Sequence, residues 1–156
     1  MSRYFGDCLP PILYQFFAAD TMVGVVCTVD KDGFPRGAPM SQFYAPGERV
    51  MLMAAQNKSR TYANAARSGK IALTFMGANN LVFTIQGTVR VFRESMKSNH
   101  NLGILVIDIT EVHSNEACDV VVTGGISTEF ISELWRQRME TWLSELRSYT
   151  LEDIAI

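Results

Sequence analysis

Two cations stand at the start of a predicted short helix, in the stretch QNKSRTYANAARSGK from Gln56 to Lys70. Lys58 and Arg60 flank Ser59 there, although the free N–H groups of a helix start disfavour cations by roughly 0.3–1 kcal/mol each. Backbone donors, a hydroxyl and two cationic side chains together favour an anion, above all phosphate. The local sequence leaves a second interpretation equally open, in which Lys58 and Arg60 are solvated or pair with a nearby carboxylate.

The rest of that segment has the residues of a regular helix. Asn57 or Ser59 can cap its N-terminus, and two Ala-rich turns extend it. Arg67 suits the C-terminal end, and Gly69 suits the left-handed position that follows. The segment therefore predicts a helix whose first turn is available to a ligand.

The elements that position this helix are mostly predicted strands. Pro10 to Asp20 carry apolar residues at helical spacing behind two prolines, which predicts one short amphipathic helix. Between Met22 and Gln56, three β-rich runs are separated by the turn signals Asp32-Gly33 and Pro46-Gly47. This pattern predicts a meander of three antiparallel strands that ends directly before the Lys58 to Arg60 segment.

The middle strand of this meander is interrupted by Pro35, Gly37 and Pro39. None of these residues suits the centre of a regular sheet, because proline cannot donate to the ladder and glycine weakens it. We therefore expect the strand to lie at an edge or to be bulged or opened along its length. Such a break lets another group approach the backbone.

Further strands and one long helix are predicted after the Ala-rich helix. The runs KIALTFM, LVFTIQGTVRVFRE and ILVIDITEVHS read as strands, with a bend at Gly87, and CDVVVTG reads as a weaker seventh strand. The helix spans roughly Thr128 to Arg147 and places Trp135 and Trp142 on one face, where core packing is expected and a dimer contact or a wall over a partner's ligand is the alternative. So many antiparallel strands are expected to close into a barrel, within a single domain of residues 1–156.

The bulk composition narrows the classes of partner. A net charge of −2 over 156 residues lacks the basic excess of a nucleic-acid surface, so no nucleic-acid partner is expected. The apolar runs are far shorter than the roughly 20 residues that span a bilayer, and no secretory signal is recognisable, so we expect a cytoplasmic protein without a membrane partner. Three cysteines and two histidines show no metal-ligand spacing, which predicts no metal site.

The order of these motifs resembles the flavin-binding split β-barrel family that contains pyridoxamine 5′-phosphate oxidase. The resemblance extends over roughly residues 10 to 93 and rests on the TVDKDGFPRGAPM hairpin, the SRxxxN helix, the IALTF strand and the VFTIQGTVRV strand. It implies a mainly β fold with flanking helices, in an antiparallel split β-barrel of six to seven strands. It also implies a homodimer that binds FMN in a groove between its subunits.

The resemblance further implies where the flavin would bind. Ser59 and Arg60 match the Ser-Arg pair of the family and would hold the flavin phosphate. The isoalloxazine ring and the ribityl chain would lie against the second and third strands. No catalytic residue is predicted, and the predicted cofactor-binding set is Ala38, Pro39, Met40, Ser41, Ala54, Ala55, Asn57, Lys58, Ser59, Arg60 and Thr61.

The chain departs from the oxidase proper at several of these positions. Thr61 stands where the oxidase has a lysine, Ala38 and Phe43 correspond to its strand-two arginine and lysine, and Ala54 or Ala55 replaces a threonine. The C-terminal basic motif that binds substrate in the oxidase is also missing. The resemblance thus implies an FMN-dependent oxidoreductase with a small-molecule substrate other than pyridoxamine phosphate. The alternatives are a non-catalytic flavin-binding or sensing protein, a barrel that has lost its ligand, an F420-dependent reductase and a haem-binding barrel.

Overall fold

The computed structural model describes residues 2–155, which form one antiparallel sheet of eight strands with four flanking helices. The mainly β fold with flanking helices is thereby confirmed, whereas residues 1 and 156, the ends of the predicted single domain, lie outside the described part. The helices are α1 (Pro11–Ala19), α2 (Arg60–Ser68), α3 (Glu133–Arg147) and α4 (Leu151–Ile154). The strands are β1 (Arg3–Tyr4), β2 (Gly24–Val29), β3 (Pro35–Met40), β4 (Phe43–Gly47), β5 (Val50–Gln56), β6 (Lys70–Gly77), β7 (Leu81–Arg93) and β8 (Leu102–Ser114).

The predicted three-strand meander is four strands, because its middle run breaks after Met40. β3 pairs with β2, and β4 pairs with β5, so two consecutive strands lie at opposite ends of the sheet. Ser41 and Gln42 connect them at a corner, where the hydroxyl of Thr21 donates to the Ser41 carbonyl at 2.7 Å and accepts from the Phe43 N–H at 3.2 Å. The expected opening of the middle strand is therefore confirmed as a complete break.

The sheet is not closed into a barrel, contrary to the expected closure. Its order is β3-β2-β6-β7-β8-β5-β4, with β1 on β8, and no pairing between β3 and β4 occurs within residues 2–155. Prolines are confined to sheet edges because they have no N–H to donate. Pro35 and Pro39 thus leave β3 poorly suited to accept a further strand, and the sheet ends there.

Two buried clusters lie on opposite faces of the sheet. Along β5, Met51, Met53 and Ala55 belong to the first cluster and Leu52 and Ala54 to the second, as expected from the two-residue period of a strand. α1 covers the first cluster, in which Phe17, Phe43 and Phe75 contact one another. α3, α4 and the turn between them cover the second through Leu146, Ile154 and Tyr149.

The long hairpin of β7 and β8 contains the irregularity that the sequence places at Gly87. The register shifts between Gln86 and Gly87. A Cβ atom at Gly87 would lie 2.6 Å from the carbonyl oxygen of Asp108, so only glycine allows the two backbones to approach this closely.

The chain after β8 differs from the expectation. The segment CDVVVTG forms no strand. The Val122 carbonyl accepts from the Asn80 N–H at 3.0 Å, and the Val122 N–H donates to the Asn80 side-chain Oδ1 at 3.0 Å. The physical reason is that β6, β7 and β8 are already paired on both sides, so no free ladder remains beside this segment. The terminal helix also begins later than expected, at Glu133, with Ser132 as its N-cap. None of the helices in residues 2–155 combines the length and the apolarity that crossing a membrane requires.

Candidate functional site

A cleft of about 780 Å³ lies at the corner where β3 breaks from β4. Its volume falls within the range of roughly 300–1,000 Å³ that is usual for small-molecule sites. Three elements form its walls: the β3–β4 corner with the end of β5, the loop between β7 and β8, and α3. The lining residues are Pro39, Met40, Ser41, Gln42, Ala54, Ala55, Gln56, Ser59, Ser98, Asn99, Asn101, Leu102, Trp135, Arg138 and Trp142.

The first wall consists largely of backbone. Ala54 and Ala55 are 3% and 1% exposed and offer little beyond their main chain, so a flat group can approach the strand end closely. Gln42 fixes the corner through its carbonyl, which accepts from the Ala54 N–H at 3.1 Å. The side-chain Oε1 atom of Gln42 is buried without a hydrogen-bond partner in residues 2–155. An unsatisfied buried acceptor at a cleft wall favours a ligand or a water that donates to it.

Ser59 brings the start of α2 to the same cleft. Its hydroxyl accepts from the Tyr62 N–H at 3.1 Å and caps the helix, and Gly69 ends the helix at φ 66°. The predicted helix is thus confirmed at both ends. Lys58 and Arg60 are exposed, do not line the cleft and make no hydrogen bond or ion pair within the described residues. Both cations are therefore unpaired within the described residues, and Lys58 lines a separate cleft with Tyr62 and Glu94.

The second wall is the loop of residues 94–101, which Asn57 holds in place. The Asn57 amide donates to the carbonyls of Glu94 and His100, each at 2.9 Å, and the Asn57 N–H donates to the carbonyl of Asn101 at 3.0 Å. Because the Asn57 side chain is hydrogen-bonded to the loop, Asn57 holds the second wall in position. Asn99 and Asn101 then present polar groups at the opening.

α3 is joined to this loop by Glu145. The Glu145 carboxylate accepts from the Lys97 N–H at 2.8 Å and the Ser98 N–H at 2.7 Å. Partial burial raises the pKa of the Glu145 carboxyl, but the hydrogen bonds from Ser98 and Lys97 outweigh burial and hold the pKa below its usual value. The loop and α3 are therefore one connected wall.

Trp135, Arg138 and Trp142 form the α3 side of the cleft. The Arg138 guanidinium carbon lies 4.8 Å from the centroid of the Trp135 ring, and the two indoles meet edge to face at 6.5 Å. Trp135 is 42% exposed, so the expected core packing of this stripe is wrong at the N-terminal end of α3. The buried residues of the helix, Leu143 and Leu146, lie nearer its C-terminus. Arg138 is the one charged side chain among the lining residues described above.

Six of the eleven predicted cofactor-binding residues come together at this cleft: Pro39, Met40, Ser41, Ala54, Ala55 and Ser59. Ala38 lies within β3 and pairs with Val26 of β2, and Thr61 is buried within α2. The roles of these residues toward a flavin stay predictions. The sequence reasoning missed Gln42, the 98–101 loop and Arg138. Only Arg138 carried a recognisable signal, since it stands three residues after Trp135 and four before Trp142 and so shares their helix face.

The chemistry of the cleft is that of binding rather than of acid–base catalysis by the protein. No histidine or carboxylate lines it among the described residues, and no group of three or more histidine, cysteine, aspartate or glutamate residues in 2–155 is placed to hold a metal ion. A flat strand end, two indoles, amides and one guanidinium suit a planar ligand that carries negative charge.

This fold and cleft define an open antiparallel sheet domain with a candidate ligand site at the corner between β3 and β4. Sequence comparison identifies the family. Residues 13–116, two thirds of the chain, match the pyridoxamine 5′-phosphate oxidase family, and the chain belongs to it. The family expected from the sequence motifs is thereby confirmed. A comparison with curated protein sequences finds no match.

Solved structures support the same fold. A candidate pyridoxamine 5′-phosphate oxidase from Lactobacillus delbrueckii is 20% identical, with a TM-score of 0.58 over 72% of this chain and 98% of that chain. An F420 reductase is 17% identical, with a TM-score of 0.51 over 64% of this chain and 94% of that chain. An FMN-binding protein from Syntrophomonas wolfei is 17% identical, with a TM-score of 0.50 over 67% of this chain and 84% of that chain. At these sequence identities, the comparisons with solved structures show a shared fold and nothing further.

Proposed function

We propose that this protein is a cytoplasmic FMN-dependent oxidoreductase of a small molecule other than pyridoxamine phosphate. The observation that carries the proposal is the cleft at the β3–β4 corner, which gathers six predicted flavin-binding residues beside the capped start of α2. Membership of the pyridoxamine 5′-phosphate oxidase family and the fold shared with an FMN-binding protein support it.

The residues of the cleft fit FMN in shape and in chemistry. The bare strand end at Ala54 and Ala55 gives the isoalloxazine ring a flat surface, and the unpaired Gln42 Oε1 can accept from the N–H of the ring. Ser59 and the neighbouring Arg60 would hold the phosphate at the start of α2. Ala38 and Thr61, which are not basic, make this anchor weaker than one with several cations.

Bound FMN would supply the hydride or electron transfer. The chain's own residues would then orient the ring against β3 and β5 and exclude water from it through the α3 wall. Because the lining residues include no acid or base, substrate protons would be exchanged with the flavin or with solvent. Both the electron donor and the substrate are small molecules in this proposal.

A homodimer completes the proposal. Val25, Met76 and Ile126 are largely exposed and line one shallow cleft of about 190 Å³ on the outer face of β2 and β6. Contiguous exposed apolar side chains of this kind are typical of a protein interface. A second copy of the chain on this face would cover them and stand beside the edge strand β3.

A related cofactor is the second candidate. The fold shared with an F420 reductase supports a deazaflavin such as F420 as an alternative to FMN. A non-catalytic flavin-binding protein would have the same cleft and would differ only in its failure to turn over.

Titration of flavin fluorescence tests the proposal directly. The protein should quench FMN fluorescence and bind FMN with a Kd below about 50 μM. Riboflavin, which lacks the phosphate, should bind less tightly. Arg60→Ala should lower the affinity for FMN by about tenfold and the affinity for riboflavin hardly at all, because a charge-assisted contact to phosphate is lost. Lys31→Ala, which removes another exposed cation, is the matched control. Absence of quenching by FMN would refute the cofactor, and quenching by F420 instead would favour the alternative.

Turnover separates the enzyme from a binding protein. When NADH or NADPH is added under anaerobic conditions, the FMN-loaded protein should lose its absorbance at about 450 nm, where oxidised flavin absorbs. Tight FMN binding without reduction by either nicotinamide would favour the non-catalytic alternative.

A further inference from the structure

Arg136 and Arg138 stand two residues apart on α3, yet their surroundings differ. Arg136 forms ion pairs with Glu133 and Glu140, and these carboxylates raise the pKa of its guanidinium further. Arg138 has no carboxylate partner among the described residues and lies against the face of Trp135. Its positive charge is therefore left uncompensated at the wall of the cleft.

The stacked arrangement keeps Arg138 ready to bind. A guanidinium that lies against an indole face keeps its N–H groups at its edge available, and these match the two oxygens of a carboxylate. Trp135 holds the guanidinium, while Trp142 meets Trp135 edge to face and adds apolar surface beside it. The three side chains therefore offer one cationic fork beside an aromatic corner formed by the two indoles.

The position of α3 is fixed relative to the rest of the cleft. The helix is tied to the 94–101 loop through Glu145 and is anchored on the sheet by buried Leu143 and Leu146. No other lining residue is charged, so Arg138 sets the sign of the charge that this side of the cleft selects. Ser59 lies in the same cleft, at the start of α2 and on a different wall.

We propose that Arg138, Trp135 and Trp142 form a subsite for a planar aromatic carboxylate, with Arg138 paired to the carboxylate and the indoles against the ring. The identification of this ligand as the substrate, placed on the α3 side of the flavin, rests on the proposed function. The specificity of the site then comes from α3, which follows residues 13–116, the part that matches the family.

Two probes of equal shape and different charge test the subsite. 2-Naphthoate and its neutral isostere 2-naphthamide are titrated into the protein, with and without saturating FMN, and followed by isothermal titration calorimetry. Wild-type protein should bind the naphthoate at least about tenfold more tightly than the amide. Arg138→Ala should abolish this preference, Arg138→Lys should retain about threefold, and Arg136→Ala should retain all of it.

The outcomes separate this proposal from the proposed function. Equal binding of the two probes to wild type, or a full tenfold preference in Arg138→Ala, would overturn the subsite even if FMN binds. Loss of FMN but not riboflavin affinity in Arg138→Ala would also overturn it, because Arg138 would then hold the cofactor phosphate. If wild type binds no FMN but distinguishes the two probes through Arg138, the subsite stands and the proposed function fails.

Discussion

Glu145 Oε2 on α3 lies 2.7 Å from the backbone nitrogen of Ser98, in the loop between β7 and β8. The second oxygen of the same carboxylate accepts from the Lys97 N–H. One side chain thus joins two walls of the cleft that are about 47 residues apart in the sequence. The shape of the cleft therefore depends on a charge that can be titrated.

Glu145→Gln should loosen this junction in a manner that depends on pH. The folded state lowers the pKa of the Glu145 carboxyl, so its stabilisation is present above the unfolded value of about 4.5 and is lost as the pH falls through the folded value. Hydrogen bonds to a charged group contribute about 1.5–3 kcal/mol. Because solvent screens this partly exposed carboxylate, urea unfolding should show a deficit at the low end of this range in Glu145→Gln at pH 7, and a smaller deficit near pH 3.

Glu140→Gln is the control for this experiment, because Glu140 lies on the same helix and its ion pair with Arg136 is exposed. It should cost less than about 1 kcal/mol at pH 7. An equal deficit for Glu145→Gln at both pH values would show that the carboxylate does not support the loop through its charge.

Ser59 can be replaced by residues that keep the helix cap but change the charge. Aspartate and asparagine both cap helices as well as serine does, so α2 should remain intact in either variant. Ser59→Asp places a negative charge against the phosphate and should weaken FMN by at least about tenfold while riboflavin loses little. Ser59→Asn, which is neutral and similar in shape, should stay within about threefold of wild type for both ligands. Parallel losses for FMN and riboflavin in Ser59→Asp would place the phosphate away from α2.

The local part of this site could be predicted from the sequence because its signals are local. The caps Ser59 and Gly69 define α2 by backbone geometry alone, and Pro35 and Pro39 mark the opened strand by their missing N–H groups. Each of these residues acts on its own neighbours. For this reason the break after β3 and the start of α2 could both be predicted from the sequence.

The parts that depend on long-range pairing could not be predicted in the same way. The three valines of CDVVVTG have high strand propensity, but whether they pair depends on a free ladder, and the central strands have none. Trp135 has the spacing of a core residue, but α3 is buried only further along, at Leu143 and Leu146, and Trp135 is left exposed. Closure of the barrel likewise depends on whether β3 and β4 meet, and the prolines that mark β3 as an edge strand do not show where β4 lies.

Thr21 links the two halves of the β3–β4 corner, and its hydroxyl should matter for both stability and ligand affinity. Thr21→Val keeps the shape of the side chain but leaves the Ser41 carbonyl and the Phe43 N–H without their partner. Such a loss costs about 1–3 kcal/mol and should lower the thermal midpoint and raise the Kd for FMN several-fold. Thr21→Ser retains the hydroxyl and should bind FMN as wild type does. If the valine variant is destabilised but binds FMN normally, the corner does not shape the flavin site.

The exposed apolar face around Val25 should carry the dimer contact. Val25 and Val91 are 39% and 38% exposed, on different strands, and only Val25 lies beside Met76 and Ile126. Sedimentation velocity should find wild type at twice the chain mass, and Val25→Lys should raise the dimer dissociation constant by at least about tenfold, because burying an unpaired ammonium is costly. Val91→Lys, with the same change of charge, should leave the dimer intact. If the wild-type chain sediments as a monomer, or if both lysine variants behave alike, the interface does not lie on β2 and β6, and a flavin site shared between subunits would have to be abandoned with it.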